Sequence, residues 1–210
     1  MSLILASTSP RRRELLTLLG IPFDVKSPSF EERLVADSPA IEQVQAFAQG
    51  KARSVASQEP DAIVLGSDTV IEVDQAVIGK PADLMEARTM LRRLAGRDHC
   101  VHTAIALVWS TRAIDIGALS TAVVRMKPYD ELAHERYLAT GESLDKAGAY
   151  SIQGEGGNLI DSIDGDFPTV VGLPLRLVAR LLLQVDVNVP IDLDELYAIK
   201  PYTNWARFSV

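Results

Sequence analysis

The sequence has little cysteine and histidine, and it has no excess of positive charge. Its one cysteine, Cys100, excludes a disulfide framework and a zinc cluster built from cysteines. The three histidines show no metal-ligand spacing; they are His99, His102 and His134. With 21 Lys and Arg against 28 Asp and Glu, the formal net charge is −7. Because general nucleic-acid binders present a basic surface, we expect no nucleic-acid partner.

Long apolar runs are also absent. The start of the chain has four consecutive apolar residues, Leu3 to Ala6, and no basic stretch before them, so no signal peptide is predicted. The apolar stretch from Leu173 to Val185 is interrupted by Pro174, Arg176 and Arg180, and it is too short and too charged to cross a bilayer. We therefore expect a soluble, cytoplasmic protein without a membrane partner.

What the sequence does contain is typical of a globular domain. Hydrophobic residues make up 47% of its 210 residues and charged residues 23%. Predicted strands, at residues 3–6 and 62–73, alternate with two helices, which predicts an α/β fold. The first helix has Ser9 as its N-cap and Pro10 as its first residue, and it stops at Gly20; the second has Ser38 and Pro39 in the same two places. Two adjacent strands predicted between residues 99 and 127 indicate a mixed sheet.

The end of the chain differs in character from the rest. A predicted helix from Pro174 to Leu183 completes the apolar core. Residues 185–210 then carry several acidic residues. We predict one domain over residues 1–184, followed by a C-terminal extension of unknown role over residues 185–210.

The first candidate site is the turn from Ser7 to Arg13, where a strand leads into a helix start. Free backbone N–H groups, hydroxyls and three arginines stand there together, which is the chemistry that binds a polyphosphate. The alternative is an ordinary capped helix with an exposed basic first turn.

The second candidate is Asp68, which interrupts an otherwise apolar strand. A carboxylate there is costly unless it is paired, hydrogen-bonded or bound to a metal ion. It is interpreted as a metal ligand or a general base, or alternatively as a buried Asp that satisfies nearby backbone groups. Charged residues near other element ends gain weight only if they converge with Asp68; they are the pair Glu31-Glu32, Lys51 and Lys80.

Five segments in this order resemble the Maf family of nucleoside triphosphate pyrophosphatases. They span residues 3 to about 184, and the ordered set is highly specific. They are Leu3-Ile4-Leu5-Ala6-Ser7-Thr8-Ser9-Pro10-Arg11-Arg12, Gly66-Ser67-Asp68-Thr69-Val70, Gly79-Lys80-Pro81, residues 145–154, and Val171-Gly172-Leu173-Pro174-Leu175. The resemblance implies an elongated mixed sheet flanked by helices, with two lobes around a central cleft as in inosine triphosphatases, and a homodimer.

The resemblance also implies a reaction: hydrolysis of a nucleoside triphosphate between the α and β phosphates, with a divalent metal. Asp68 matches the family's proton acceptor. Polar residues expected around the triphosphate and the metal are Ser7, Arg11, Arg12, Glu32, Lys51 and Lys80; the acidic pair leaves the position of Glu32 open by one residue. Cellular roles implied for the family include clearing non-standard nucleotides and restraining septum formation.

The expected metal is Mg²⁺ or Mn²⁺, because both prefer oxygen ligands, which Asp68 and Glu32 would supply together with phosphate oxygens and water. Such a metal neutralises phosphate charge and acidifies a bound water. No covalent intermediate is needed.

Within the resemblance, three positions predict the base. The subgroup that acts on dTTP and UTP carries Arg, Thr and Gln where this chain has Arg11, Thr69 and Gln153. A Gln side chain offers both a donor and an acceptor, which suits the imide edge of uracil or thymine. The alternatives are a 7-methyl-GTP pyrophosphatase of the same family, and a nucleotide-binding regulator of cell division with weak catalysis.

Overall fold

A seven-stranded mixed sheet forms the centre of the computed structural model, which describes residues 2–35 and 38–208. Its strands are β1 (Leu3–Ala6), β2 (Asp24–Lys26), β3 (Ile63–Val73), β4 (Ala76–Ile78), β5 (Asp98–Trp109), β6 (Ile114–Met126) and β7 (Ile160–Asp164). The α-helices of the described residues are α1 (Pro10–Thr17), α2 (Ala40–Ala56), α3 (Leu84–Leu94), α4 (Glu131–Ala139), α5 (Phe167–Val171), α6 (Leu175–Leu183), α7 (Leu193–Ile199) and α8 (Thr203–Phe208). Short 3₁₀ turns lie at Ser110–Arg112, Ala147–Ala149 and Glu155–Leu159.

The sheet has the order β2-β1-β3-β5-β6-β7, and β4 pairs with β3. β1 runs parallel to β2 and β3, whereas the other pairs are antiparallel, so the predicted mixed sheet is confirmed. Ala6 at the end of β1 lies opposite Gly66 of β3. This register places the turn after β1 beside Asp68, which itself lies opposite Ala104 of β5.

Apolar side chains of β1 alternate between two clusters of the core. Leu3 and Leu5 belong to the larger cluster, which includes residues of α1, α3 and α6, whereas Ile4 and Ala6 belong to the cluster under α2. Because successive strand residues point to opposite faces, helices must cover both faces of the sheet. This confirms the predicted α/β architecture.

Of two predicted helix starts, the structure confirms one and contradicts the other. Ser9 is the N-cap of α1 and Pro10 its first residue, as predicted. The placement of Pro39 as the first residue of the next helix is wrong, because Pro39 has an extended ψ of 137° and α2 begins at Ala40. The sequence predicts that the first helix stops at Gly20, but it ends at Thr17, and a turn from Leu18 to Gly20 follows.

The C-terminal segment packs onto the larger cluster. Trp205 of α8 is 1% exposed and stacks on Phe167, with 5.6 Å between ring centroids. Phe208 is also buried. The segment after residue 184 therefore shares the core of the preceding domain. Within the described residues, no helix is both long enough and apolar enough to span a bilayer.

Candidate active site

A cavity of about 490 Å³ lies at the carboxyl end of β1. Residues 7–12, α2 and β3 line one part of it, and residues 145–147, 150–152 and 170–171 contribute further lining. Its volume is in the range of sites that bind small molecules. The family resemblance predicts a central cleft, and this cavity is the candidate for it.

The cavity is more positive than the chain as a whole. Five cationic side chains and three acidic ones line it, a local excess of two positive charges in a chain whose formal net charge is −7. The cations are Arg11, Arg12, Lys51, Lys80 and Lys146; the acids are Glu32, Asp68 and Asp145. A cleft lined by one sign of charge attracts ligands of the opposite sign, so the cavity suits an anion.

Asp68 is the buried carboxylate at the centre of this cluster, with its side chain 6% exposed. The Lys51 ammonium donates a hydrogen bond to Asp68 Oδ1, and Arg12 Nη2 lies 4.0 Å from the same oxygen. Burial raises the pKa of Asp68, although the two cations act in the opposite direction. Asp68 therefore has neighbours that pair its charge and a raised affinity for a proton.

Glu32, and not Glu31, is the acidic residue that reaches this cluster. Glu32 Oε1 lies 2.5 Å from Lys51 Nζ, whereas Glu31 pairs with Arg33 at the surface. Partial burial acts to raise the pKa of Glu32, but the hydrogen bond and charge of Lys51 bring it below its ordinary value. The register that the sequence leaves open is thereby assigned.

Two glycines allow these side chains to meet. A Cβ at Gly66 of β3 would lie 2.4 Å from the Ala48 carbonyl oxygen, so only glycine lets α2 come close enough to bring Lys51 to Asp68. A Cβ at Gly50 would lie 2.2 Å from the Phe30 ring, so glycine also lets the segment that carries Glu32 pack on α2.

Arg12 is fixed by hydrogen bonds on the side of β3. Its Nε donates to the Gly172 carbonyl at 2.9 Å, and its Nη2 donates to Thr69 Oγ1 at 3.2 Å. Thr69 Oγ1 lies 2.8 Å from Thr103 Oγ1, which donates to the Thr169 carbonyl. The sequence-based predictions did not include Thr103 and Thr169. Both are buried, and a hydroxyl residue among apolar neighbours was the signal that could have identified each of them.

The turn after β1 points toward the cavity. Ser7 Oγ accepts a hydrogen bond from the Ser9 amide at 3.2 Å, and the Ser9 side chain makes no capping bond to α1. Ser7, Ser9 and Arg11 all line the cavity. The N-terminal amides of α1 thus lie where an anion would bind, as the sequence predicts.

Of the two remaining predicted residues, one lines the cavity and the other does not. Lys80 is exposed and lines the cavity. Gln153 does not belong to the lining, although the preceding residues Tyr150 to Ile152 do. The side chains of Tyr150, Ile152, Val101 and Val170 make this part of the lining largely apolar. The lining thus contains a charged part around Asp68 and an apolar part formed by these four side chains, which we call the charged end and the apolar end.

The protein supplies only part of the set of ligands that a hard divalent cation needs. Among the residues that the structure describes, no group of three His, Cys, Asp or Glu side chains is placed to ligate a metal. Glu32 Oε1 and Asp68 Oδ1 nevertheless both contact the Lys51 ammonium, so two carboxylates lie close together and each keeps a second oxygen. Mg²⁺ commonly takes one or two carboxylates and completes its shell with water and phosphate oxygens, which this pair allows.

A buried carboxylate, a cationic cleft and an open helix N-terminus form a site whose chemistry suits a phosphorylated small molecule. The family model described as "Maf-like protein" matches residues 2–185, so the chain belongs to the Maf family.

Curated relatives agree with this assignment. The chain is 51% identical to a dTTP/UTP pyrophosphatase of Symbiobacterium thermophilum, over 87% of this chain and 93% of that protein. It is 44% identical to proteins of the same name from Bacillus velezensis and Moorella thermoacetica, over 89% of this chain in both cases and over 97% and 96% of those proteins.

Among solved structures, the chain is similar to the Ham1 protein of Staphylococcus aureus, with a TM-score of 0.40 and 12% identity over 60% of this chain and 72% of that chain. It is also similar to protein VC0702 of Vibrio cholerae, with a TM-score of 0.34 and 12% identity over 64% and 67%.

Proposed function

We propose that this chain is a nucleoside triphosphate pyrophosphatase that hydrolyses dTTP and UTP between the α and β phosphates. The products are the nucleoside monophosphate and pyrophosphate. Membership in the Maf family and the names of the curated relatives support the reaction. The observation that carries it in this chain is the buried Asp68, paired with Lys51 beside Glu32 at the cavity.

The charged end of the cavity binds the triphosphate. Arg11, Arg12, Lys51 and Lys80 offer donors to the phosphate oxygens, and the amides after Ser7 add the partial positive charge of a helix start. Arg12 is already oriented by Gly172 and Thr69 before any ligand binds. Donors fixed in advance stabilise the charge that develops on the pyrophosphate leaving group.

Glu32 and Asp68 would hold a divalent metal, Mg²⁺ or Mn²⁺, with phosphate oxygens and water as its other ligands. When bound, such a metal neutralises phosphate charge and lowers the pKa of a coordinated water.

Asp68 accepts a proton from the attacking water. Its burial raises its pKa, which gives the carboxylate more affinity for that proton than an exposed Asp would have. The water oxygen forms a bond to the α-phosphorus, and the bond from that phosphorus to the bridging oxygen breaks. The electron pair leaves with pyrophosphate, whose charge the arginines and lysines stabilise.

The more apolar end of the cavity binds the nucleoside. Tyr150 and Ile152 supply apolar surface there, and Gln153 follows directly in the chain. Gln153 offers a donor and an acceptor to the imide edge of uracil or thymine. Thr69 acts through Arg12, because its hydroxyl accepts the hydrogen bond of Arg12 Nη2.

The position of attack is tested with dTTP in water enriched in ¹⁸O. Attack at the α-phosphorus places one ¹⁸O in dTMP and none in pyrophosphate. Mass spectrometry of both products measures this directly, and the Asp68→Asn variant serves as the control for background hydrolysis. Label in pyrophosphate, or release of orthophosphate as the first product, would contradict the proposed reaction.

A further inference from the structure

A residue near the end of the chain contacts a segment that contributes to the apolar end of the cavity. Asn204 Nδ2 donates to the Ile152 carbonyl at 2.6 Å and to the Gly154 carbonyl at 3.2 Å. These two carbonyls flank Gln153 on both sides. One amide group of the C-terminal segment therefore fixes the backbone around the residue proposed to bind the base.

The segment from Ser151 to Gly154 depends on such contacts, because it belongs to no helix or strand. A backbone without regular hydrogen bonding takes its conformation from whatever partners its polar groups find. The Gly154 carbonyl also accepts from the Gly157 amide at 3.1 Å, which closes a tight turn. Asn204 joins this turn to Ile152, which lines the cavity.

Two neighbours of Asn204, Gly157 and Trp205, favour this contact. A Cβ at Gly157 would lie 2.4 Å from Asn204 Nδ2, so the amide occupies room that only glycine leaves. On one side of Asn204, Trp205 stacks on Phe167 with an interplanar angle of 8°. A buried, stacked indole holds α8 in place, so the amide reaches the segment from a fixed position.

The family match ends at residue 185, so Asn204 lies outside it. We infer that the C-terminal segment of this chain is a specificity element, in which Asn204 fixes the backbone of residues 152–154 and so positions Ile152, which lines the cavity, against the pyrimidine base. The inference rests on the proposed hydrolysis of dTTP and UTP. Asn204 is a positioning residue, since it acts through the backbone of residues 152–154 and has no place in the cavity lining.

The first test compares substrates in the Asn204→Ala and Asn204→Asp variants. Alanine removes both hydrogen bonds, and aspartate keeps the shape but turns a carboxylate toward two carbonyl oxygens. We expect the ratio of kcat/KM for dTTP over CTP to fall about tenfold in the alanine variant, and further in the aspartate variant. The inhibition constant of inorganic tripolyphosphate should stay unchanged, because it binds at the charged end alone.

The matched control is Arg207→Ala, on the same helix. Arg207 Nη1 donates to Asn158 Oδ1 at 3.2 Å, so this variant removes a contact between α8 and the neighbouring 3₁₀ turn without touching residues 152–154. It should keep the wild-type ratio. Equal losses in the Asn204 and Arg207 variants, or a weaker tripolyphosphate inhibition in the Asn204 variants, would overturn the inference in favour of a general packing role.

The second test does not require activity. Hydrogen–deuterium exchange of residues 151–157 should be faster in Asn204→Ala than in wild type, with β1 and β3 unchanged. Unchanged exchange in that segment would overturn the inference. Wild-type protein in the same substrate panel separates the two proposals: if it does not cleave dTTP, the proposed function fails, and if it does while the variants keep its preference, the role of Asn204 fails.

Discussion

The two ends of the cavity are built in different ways. At the charged end, side chains from separate elements meet in buried contacts: Lys51 of α2 bonds Asp68 of β3, and Arg12 of α1 bonds Thr69. At the apolar end, the lining includes the irregular segment from Tyr150 to Ile152, whose backbone Asn204 contacts from outside the cavity.

We therefore expect the charged end to determine the rate of the reaction and the apolar end to determine which nucleotide is preferred. The charged end is held by regular strands, helices and buried polar pairs, so changes there should alter the rate for every nucleotide. At the apolar end, Val101 and Val170 lie on β5 and α5, but residues 150–154 are irregular, so changes that affect these residues should alter which nucleotide is preferred. Each prediction below asks whether an effect is uniform across substrates or selective among them.

Metal removal should have the largest effect. Because Glu32 and Asp68 are oxygen donors, and no Cys or His is among the described residues that line the cavity, we expect exhaustive chelation to abolish hydrolysis of all nucleotides alike, and Mg²⁺ or Mn²⁺ to restore it. Pyrophosphate release after dialysis against chelator measures this. Full activity without a divalent cation would remove the metal from the reaction.

Asp68→Asn should lower kcat by a factor of about 10² or more for every substrate, since the amide cannot accept the proton of the attacking water. The fold should survive, because Asn keeps the shape and the bond to Lys51. Circular dichroism and nucleotide binding serve as controls. Near-normal turnover by the folded variant would refute the role of Asp68.

Thr69→Val should have a smaller effect. Valine keeps the shape but removes the acceptor for Arg12 Nη2. Loss of one hydrogen bond from a charged donor costs about 1.5 kcal/mol, so we expect kcat/KM to fall about tenfold with dTTP and UTP equally. Thr69→Ser, which keeps the hydroxyl, should stay close to wild type. A change in the preferred base, without a loss of rate, would assign Thr69 to the other end of the cavity.

Among these predictions, pH should have the smallest effect on turnover. It should instead change the free energy of unfolding, through His99 beside the apolar end of the cavity. His99 is buried beside Tyr150, with 2.7 Å between Nε2 and the hydroxyl, and burial lowers its pKa to about 4. Above pH ~6.5 the histidine is neutral in both states. As pH falls from there toward 4, only the unfolded chain takes up the proton, so the free energy of unfolding falls by about 3 kcal/mol.

The His99→Gln variant measures this contribution. Between pH 6.5 and 4 its free energy of unfolding, from urea titrations, should fall less steeply than that of wild type. Parallel curves for the two proteins would show that His99 does not contribute.

The sequence predicts the charged end better than the apolar end. Asp68 stands out because a carboxylate in an apolar strand needs a partner, and the Maf resemblance supplied Lys51 and Arg12. For a similar local reason, the alternation of strands and helices predicts the α/β fold, and the adjacent strands between residues 99 and 127 predict the mixed sheet. Both signals depend on residue type at a position, which a single sequence displays.

The apolar end depends on contacts that a sequence does not display. Asn204 lies some 50 residues from Ile152, and nothing in either local pattern points to the other. The choice between Glu31 and Glu32 likewise depends on packing, because Gly50 admits Phe30 and so fixes the register. The homodimer and the cytoplasmic location stay predictions.

The most direct test is a panel of nucleoside triphosphates with pyrophosphate release as the readout. The account predicts that dTTP and UTP have the highest kcat/KM, clearly above purine triphosphates and 7-methyl-GTP. CTP should be poorer as well, because its exocyclic amine replaces a carbonyl acceptor, a mismatch that costs ~1–3 kcal/mol. If 7-methyl-GTP is the best substrate, or if CTP is cleaved as well as UTP, the account of the apolar end is wrong.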